Sequence, residues 1–294
     1  MAYPDLKEID ALIHLLDDSD NEVVTHVSEK LIAYGNSILG NLERASEDHF
    51  NPLIQERIEG IIRHIQYDRS ANAFRRWSRE GVHDLLKAAL ILGRHHDPGI
   101  DEGMVLETMS EIAEECRTEI SPYQGPVETI SILNQVLYKN RGFQGRSTDL
   151  LNPAHYQIHV LLRNKNGVPL TLGLLYLILG QMLGLRLYGV NLPHHFIIGQ
   201  AKAEIDDFNA TDGALMSQIL FYINPANAGM VFTKYEIEEY LKKIELSSRP
   251  EFFVPISNLQ TIEIVVRTLK LTYETRNQVA RCNELDGFLK EIGR

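Results

Sequence analysis

The sequence predicts an α+β fold: one buried helix packed on a small antiparallel sheet, embedded in a mainly α-helical chain. Three observations predict it. Apolar residues recur at helical spacing through most of residues 5–140 and again over 256–292. Residues 168–183 form a nearly unbroken apolar run between Gly167 and Gly184. After Gly184 the apolar runs shorten and are bounded by Gly, Pro and Asn, as strands are. A buried helix next to short strands is an α+β core.

The elements follow in order. Leu6, Ile9, Leu12, Ile13 and Leu16 make a first helical stripe. The acidic break Asp17–Asp20 supplies caps for a second helix, carried by Val23, Val24, Val27 and Leu31 and ended near Gly35. A short element with Ile38, Leu39 and Leu42 follows. Asn51-Pro52 reads as a cap followed by proline at the first helical position. Short amphipathic helices with tight polar turns look like a HEAT-type helical pair, so residues 1–66 are expected to form a HEAT-like helical cap rather than a repeat array. Arg75, Arg76 and Arg79 beside Trp77 read as a solvated linker; the functional alternative is a surface that stacks on a nucleotide or binds an acidic segment. Three more helices are centred on Leu85–Leu92, Val105–Cys116 (capped by Asp101) and Val127–Leu137. Residues 141–154 are polar and read as a loop long enough to line a site. Strands are expected at Leu185–Asn191, His195–Gln200 and Leu220–Asn224, and a closing helical pair at Ile256–Tyr273 and Val279–Ile292. The domain expectation is therefore 1–66, 67–254 and 255–294.

Composition removes several classes of function. The chain is 44% hydrophobic and 23% charged, ordinary values for a globular protein able to bury a core. A net charge of −11 sets the summed field against phosphate, so no nucleic-acid partner and no anionic membrane surface are expected. The apolar run Leu170–Leu185 falls short of the roughly 20 residues a spanning helix needs. Met1–Asp10 lacks a basic segment followed by an apolar run, so a cytoplasmic location is expected. Two cysteines, Cys116 and Cys282, make neither a disulfide framework nor a structural zinc site alone. No cofactor is expected, and the oligomeric state is left open.

Three stretches carry a more specific signal. They are GVPLTLGLLYLILGQMLGLRLYGVNLPHHFIIG at 167–199, RGFQGRSTDLLNPAHYQIHVLL at 141–162 and FYINPANAGMVFTKYEI at 221–237. A Gly-x-Pro opening a buried helix, a Pro-x-His-Phe strand and an Asn-Pro-x-x-x-Gly strand, in that order, resemble the SirB-type branch of the transglutaminase-like superfamily. The resemblance covers about residues 80–290. It implies a papain/transglutaminase-like core and a Cys-His-Asp type of site. There a thiol at a helix N-terminus is acidified, a histidine on the next strand pairs with it, and a side chain one strand further orients the imidazole.

Carried onto this chain, the resemblance puts Pro169 at the nucleophile position, His195 at the histidine and Asn224 at the orienting residue. An asparagine can orient a histidine. A proline has no nucleophilic atom and serves to start a helix. Thr171, two residues into the helix, is expected to hydrogen-bond within the first turn; the alternative is that its hydroxyl points where the nucleophile would stand. Cys116 and Cys282 sit on apolar stripes and read as small buried hydrophobes. His194 is expected to face away from His195 by strand alternation. His155 and His159, spaced i, i+4, share a helix face in principle and with His195 form a metal-ligand alternative. His95-His96-Asp97 ends a helix, where imidazolium suits the dipole.

Three functions follow in order of expectation. The first is a non-catalytic transglutaminase-like scaffold that binds a peptide or protein partner. The second is a divergent hydrolase or transamidase acting on amide bonds with His195 as base and a non-thiol nucleophile. The third is a metal-dependent hydrolase using His155, His159 and His195.

Overall fold

The computed structural model describes residues 5–145, 149–193 and 195–293. The chain is mostly helical with small sheets and divides into two compact units, Met1–Ala73 and Phe74–Arg294.

The first unit holds α1 (Leu6–His14), α2 (Asn21–Tyr34), α3 (Leu39–Asp48) and most of α4 (Pro52–Ser78). Asp20, from the acidic break, caps α2 by accepting from the Glu22 amide at 2.8 Å. Asn51 does the same for the Leu53 amide at 3.0 Å, with Pro52 opening α4. Leu16, Leu31, Ile38, Leu42 and Ile58 close one core beneath these helices.

Residues 74–79 correct the linker expectation. Helix α4 continues through Ser78, and Trp77 is fully buried. Its Nε1 donates to the Asp84 carbonyl at 2.8 Å, and its ring lies 5.2 Å from Phe74. Arg75 Nε donates to Glu291 at 3.0 Å. A large aromatic side chain gains far more from burial than a solvated turn offers, so the arginines flank a core residue rather than an open stacking platform.

The second unit continues with α5 (Leu85–His96), α6 (Glu102–Glu119) and α7 (Pro126–Asn134), whose last turn loosens into a π turn over 135–140. Asp101 caps α6 as expected, accepting from the Met104 amide at 2.9 Å. Within the 141–154 loop, β1 (Gln144–Gly145) pairs in parallel with β2 (Asn166–Gly167), and α8 (Ile158–Asn164) lies between them in the chain. Then come α9 (Pro169–Leu183), β3 (Leu187–Leu192), β4 (His195–Ala201), α10 (Asp212–Gln218), β5 (Ile219–Asn224), β6 (Met230–Phe232), α11 (Lys234–Lys243), α12 (Asn258–Glu274) and α13 (Val279–Ile292). Helix α9 stops at Gly184, whose φ of 68° is the left-handed conformation a helix end needs.

The sheet has the order β3-β4-β5-β6, all antiparallel. Strand β6 was not expected. Its three residues are too few to show an alternating pattern. Register decides which side chains share a face. Leu192 lies opposite His195, Val190 opposite Ile197, Gly199 opposite Tyr222, and Tyr222 opposite Phe232. Alternation therefore puts Val190, Leu192, His195, Ile197, Tyr222 and Asn224 on one face. That face is closed by Ile237 and Leu241 of α11 and by Phe253. The other face carries Phe196 and Leu187 against α9. A Cβ on Gly173 would lie 2.4 Å from the Phe196 ring, and one on Gly180 would lie 2.9 Å from Leu187. The sheet is thus sandwiched between α9 and α11.

Candidate functional site

His195 opens β4, where the strand emerges from the sandwich, and it is half-buried. From there its side chain borders two cavities. The first, of about 170 Å³, lies on the α11 face; His195, Asn224, Glu236 and Tyr240 supply its polar groups, and Leu192, Met230 and Phe232 part of its apolar wall. The second, of about 280 Å³, lies toward the start of α9 and is lined by Val168, Pro169, Leu170, Tyr156, Phe196 and His195 among others. The 141–154 loop contributes Leu150 to it.

The structure thus brings His195 together with Asn224 in one cavity and with Pro169 in the other. Asn224 ends β5 and is half-buried. Its Oδ1 accepts from the Ala226 amide at 3.0 Å, which caps the following 3₁₀ turn. The turn is fixed from behind. Asn134 Nδ2 donates to the Gly229 carbonyl at 2.8 Å, while its Oδ1 accepts from the buried Tyr176 hydroxyl at 3.0 Å. Gly229 has a φ of 68°, and a Cβ there would collide with Asn134 at 1.7 Å. Pro169 stands at the first position of α9, ahead of the free amides of the first turn, and Val168 gives that terminus no side-chain cap.

Thr171 is not part of either cavity wall. It is fully buried, and its Oγ1 donates at 2.8 Å to the carbonyl of His155, in the turn before α8, rather than within its own first turn. The cysteines are also elsewhere. Cys116 is buried in α6, where burial pushes its thiol up to about 12, and Cys282 is buried in α13 with its thiol also raised by burial. His194 lies outside the described residues.

The metal alternative loses its geometric premise. His155 belongs to the 3₁₀ turn Pro153–Tyr156, and the extended residue Gln157 separates it from His159 on α8. The extended backbone at Gln157 interrupts the helical path between them, so i, i+4 spacing does not become a shared helix face. His155 Nδ1 contacts the Asp149 carbonyl at 3.0 Å, whereas His159 Nε2 lies 3.9 Å from Asp97. Among the described residues, no three His, Cys, Asp or Glu side chains are grouped to hold a metal ion. The imidazolium expected at the end of α5 is corrected too. His95 Nε2 bonds Glu284 at 2.8 Å and His96 Nδ1 bonds the Tyr273 hydroxyl at 2.7 Å. Burial pushes both imidazoles toward the neutral form, His96 to about 4.

Two residues of the α11 cavity escaped sequence reasoning. Glu236 Oε2 accepts from the Thr233 amide at 2.7 Å and from the Thr233 hydroxyl at 2.9 Å. Those bonds, the backbone one first, hold its carboxyl below the usual range. Thr233-x-x-Glu236 is a capping box and was legible as one. Tyr240, one turn further along α11, meets the His195 ring edge-on with centroids 5.2 Å apart.

Comparison with known proteins bears on the family of the chain. The family model described as "Transglutaminase-like superfamily" matches residues 104–268, more than half of the chain. Among curated proteins, F-box only protein 21 of Homo sapiens is 33% identical over 86 residues, which is 28% of this chain and 14% of that protein. The same-named protein of Pongo abelii is 34% identical over the same shares. The chain therefore spans only a small part of these longer relatives. A UPF0162 protein of Xylella fastidiosa is 22% identical over 217 residues, covering 71% of this chain and 72% of the relative. One from Haemophilus influenzae is 28% identical over 42% of this chain and 46% of its own length. No solved structure gives a significant match.

Proposed function

We propose a function from one premise: the chain belongs to the transglutaminase-like superfamily. We read it as a SirB-type member, with residues 1–66 as a HEAT-like cap, that has lost thiol chemistry and works in the cytoplasm as a non-catalytic binding module for a peptide or protein partner.

One observation carries this reading. The helix that would present the nucleophile begins Val168-Pro169-Leu170, and these three residues face the cavity beside His195 without a sulfur or hydroxyl among them. The groups that would complete such a site are otherwise engaged. Thr171 is held by the His155 carbonyl, and Asn224 Oδ1 is held by the Ala226 amide. The cleft's other hydroxyls, Tyr156 and Thr268, each donate to a backbone carbonyl, and a mainly apolar cleft with an imidazole but no activated nucleophile is suited to holding a side chain rather than cleaving a bond.

A second reading has its own support. Glu236 and Tyr240 share the α11 cavity with His195, so a carboxylate, a phenol and an imidazole border one space in which water is a possible nucleophile. One experiment separates the two. The purified chain is given a glutamine peptide with a primary amine, and separately a set of activated esters, beside its His195→Ala variant. The binding-module reading expects no turnover above that variant. Ammonia or ester product formed only when His195 is present would replace it with the hydrolase reading.

A further inference from the structure

We infer that the α11 cavity takes a trimethylammonium group carried on the side chain of an extended peptide. The inference rests on the reading of the chain as a peptide-binding module, and it names what the cavity on the α11 side of His195 selects.

Four observations lead to it. The rings of Phe232 and Tyr240 both line the cavity, with the Met230 side chain beside them. Aromatic faces attract a cation that has shed its water. The one carboxylate in the wall is Glu236, whose pKa is held low, so it is ionised at neutral pH. Its Oε2 is fixed by both bonds from Thr233, which holds an exposed carboxylate at the rim of the space, and the whole chain is acidic at −11. Beyond this carboxylate the wall's polar groups are the His195 imidazole, the Tyr240 hydroxyl and Asn224. Asn224 Oδ1 is already bonded to the Ala226 amide, and the remaining lining is mainly aliphatic or aromatic. A lysine ammonium brings three donors that need partners, whereas a trimethylated one brings none and presents apolar methyls to apolar walls.

The fourth observation concerns delivery. Strand β6 is the last in the sheet order, and among the described residues no strand pairs with its outer edge. Met230 and Val231 are exposed there, and the stretch Met230-Val231-Phe232 has neither the proline nor the charge that usually protects an edge. An extended peptide laid on this edge sends alternate side chains to the face that carries the cavity. Free organic cations and lipid headgroups share the chemistry of the group but make no use of the edge.

The test uses the whole chain at pH 8 and a seven-residue peptide with trimethyl-lysine at its centre. Isothermal titration compares it with the same peptide carrying lysine, and with one in which carbon replaces the quaternary nitrogen. Binding to the trimethyl-lysine peptide is expected to be roughly tenfold tighter than to either comparison peptide. Glu236→Gln should abolish most of that preference while keeping α11 intact, because glutamine also serves the capping box. Val231→Pro should weaken the peptide several-fold by removing an edge amide. Equal binding of the carbon isostere would reduce the cavity to an apolar pocket and overturn the inference. So would equal binding of the lysine peptide, absence of binding, or choline or phosphatidylcholine vesicles outcompeting the peptide at equal headgroup concentration. Turnover that requires His195 would instead overturn the binding-module reading, and that result is recognised by product rather than by affinity.

Discussion

Replacing Pro169 with cysteine puts a thiol where the superfamily's chemistry would need one, and the structure sets what that thiol should do. Position 169 is the first residue of α9, next to amides that have no intrahelical acceptor, and the side chain lines the cavity that His195 borders. A partly buried charge at a helix end gains up to ~2 kcal/mol from the dipole. At about 1.4 kcal/mol per pKa unit, an ordinary thiol near 8.5 should fall toward about 7. Its thiolate fraction at pH 7 then rises from about 3% to about half. Lower intrinsic nucleophilicity takes back part of the gain, which leaves alkylation about threefold faster than at an ordinary exposed cysteine. The background is small. Cys116, pushed up to about 12, is essentially unionised at pH 7, and burial also raises Cys282. The assay is iodoacetamide alkylation against pH, read residue by residue by mass spectrometry, with His195→Ala added to Pro169→Cys to measure the imidazole's share. The unfolded chain regains freedom without the proline, so stability should drop by ~0.4–1 kcal/mol, a Tm loss of about 1–4 °C. A thiol pKa at 169 of about 8.5 or higher would refute the reasoning: the α9 terminus would then give no support to a thiolate, and the position would not correspond to a nucleophile site.

Two further outcomes follow. Gly173→Ala gains up to ~1 kcal/mol of helix propensity but sets a Cβ 2.4 Å from the Phe196 ring. Overpacking should win, for a net loss of about 1–2 kcal/mol in urea unfolding; a stabilised variant would mean that α9 does not press on β4 as described. The second outcome concerns acid. Burial keeps His95 and His96 neutral in the fold, His96 down to about 4, whereas unfolded histidine titrates near 6.5. Below that value the unfolded chain binds more protons, so the contribution is present above about pH 6.5 and is lost as pH falls toward 4. The slope is at most about 1.4 kcal/mol per pH unit for each histidine. Urea titrations at pH 7, 6 and 5 should show the decline, and His96→Gln should flatten it; an unchanged slope would rule out His96 as its source.

The helices were legible because their periodicity is carried by neighbours a turn apart. Val279–Ile292 appears at the bounds its apolar spacing gave, and α9 begins at Pro169 and ends before Gly184 as its flanking residues require. Strands β3 to β5 were found within two residues at each end, since each buries an apolar run between turn residues. The failures have local causes. Trp77 looked like part of a charged linker because the arginines around it are visible in sequence, while the Asp84 carbonyl and the Phe74 ring that bury it are not. His155 and His159 had helical spacing on paper, but the extended residue Gln157 separates the turn of one from the helix of the other. Glu236 was missed although its capping box was in plain view, because nothing in sequence says which end of a helix borders a cavity.

The sequence by itself determined the helical majority, the buried helix at 169–183, the short strands after it, and the absence of a sulfur from the first turn of that helix. Each depends on side-chain type and on spacing along the chain. Only the tertiary structure decided that His195 and Asn224 share the α11 face while α9 packs on the other, with His195 at the rim where both cavities meet. Strand register fixes that arrangement, and a slip of one residue would reverse every side chain in the strand. The β3–β4 register follows from the short connection between Leu192 and His195, but the pairing of β5 with β4 reaches across residues 202–218, which no local pattern encodes.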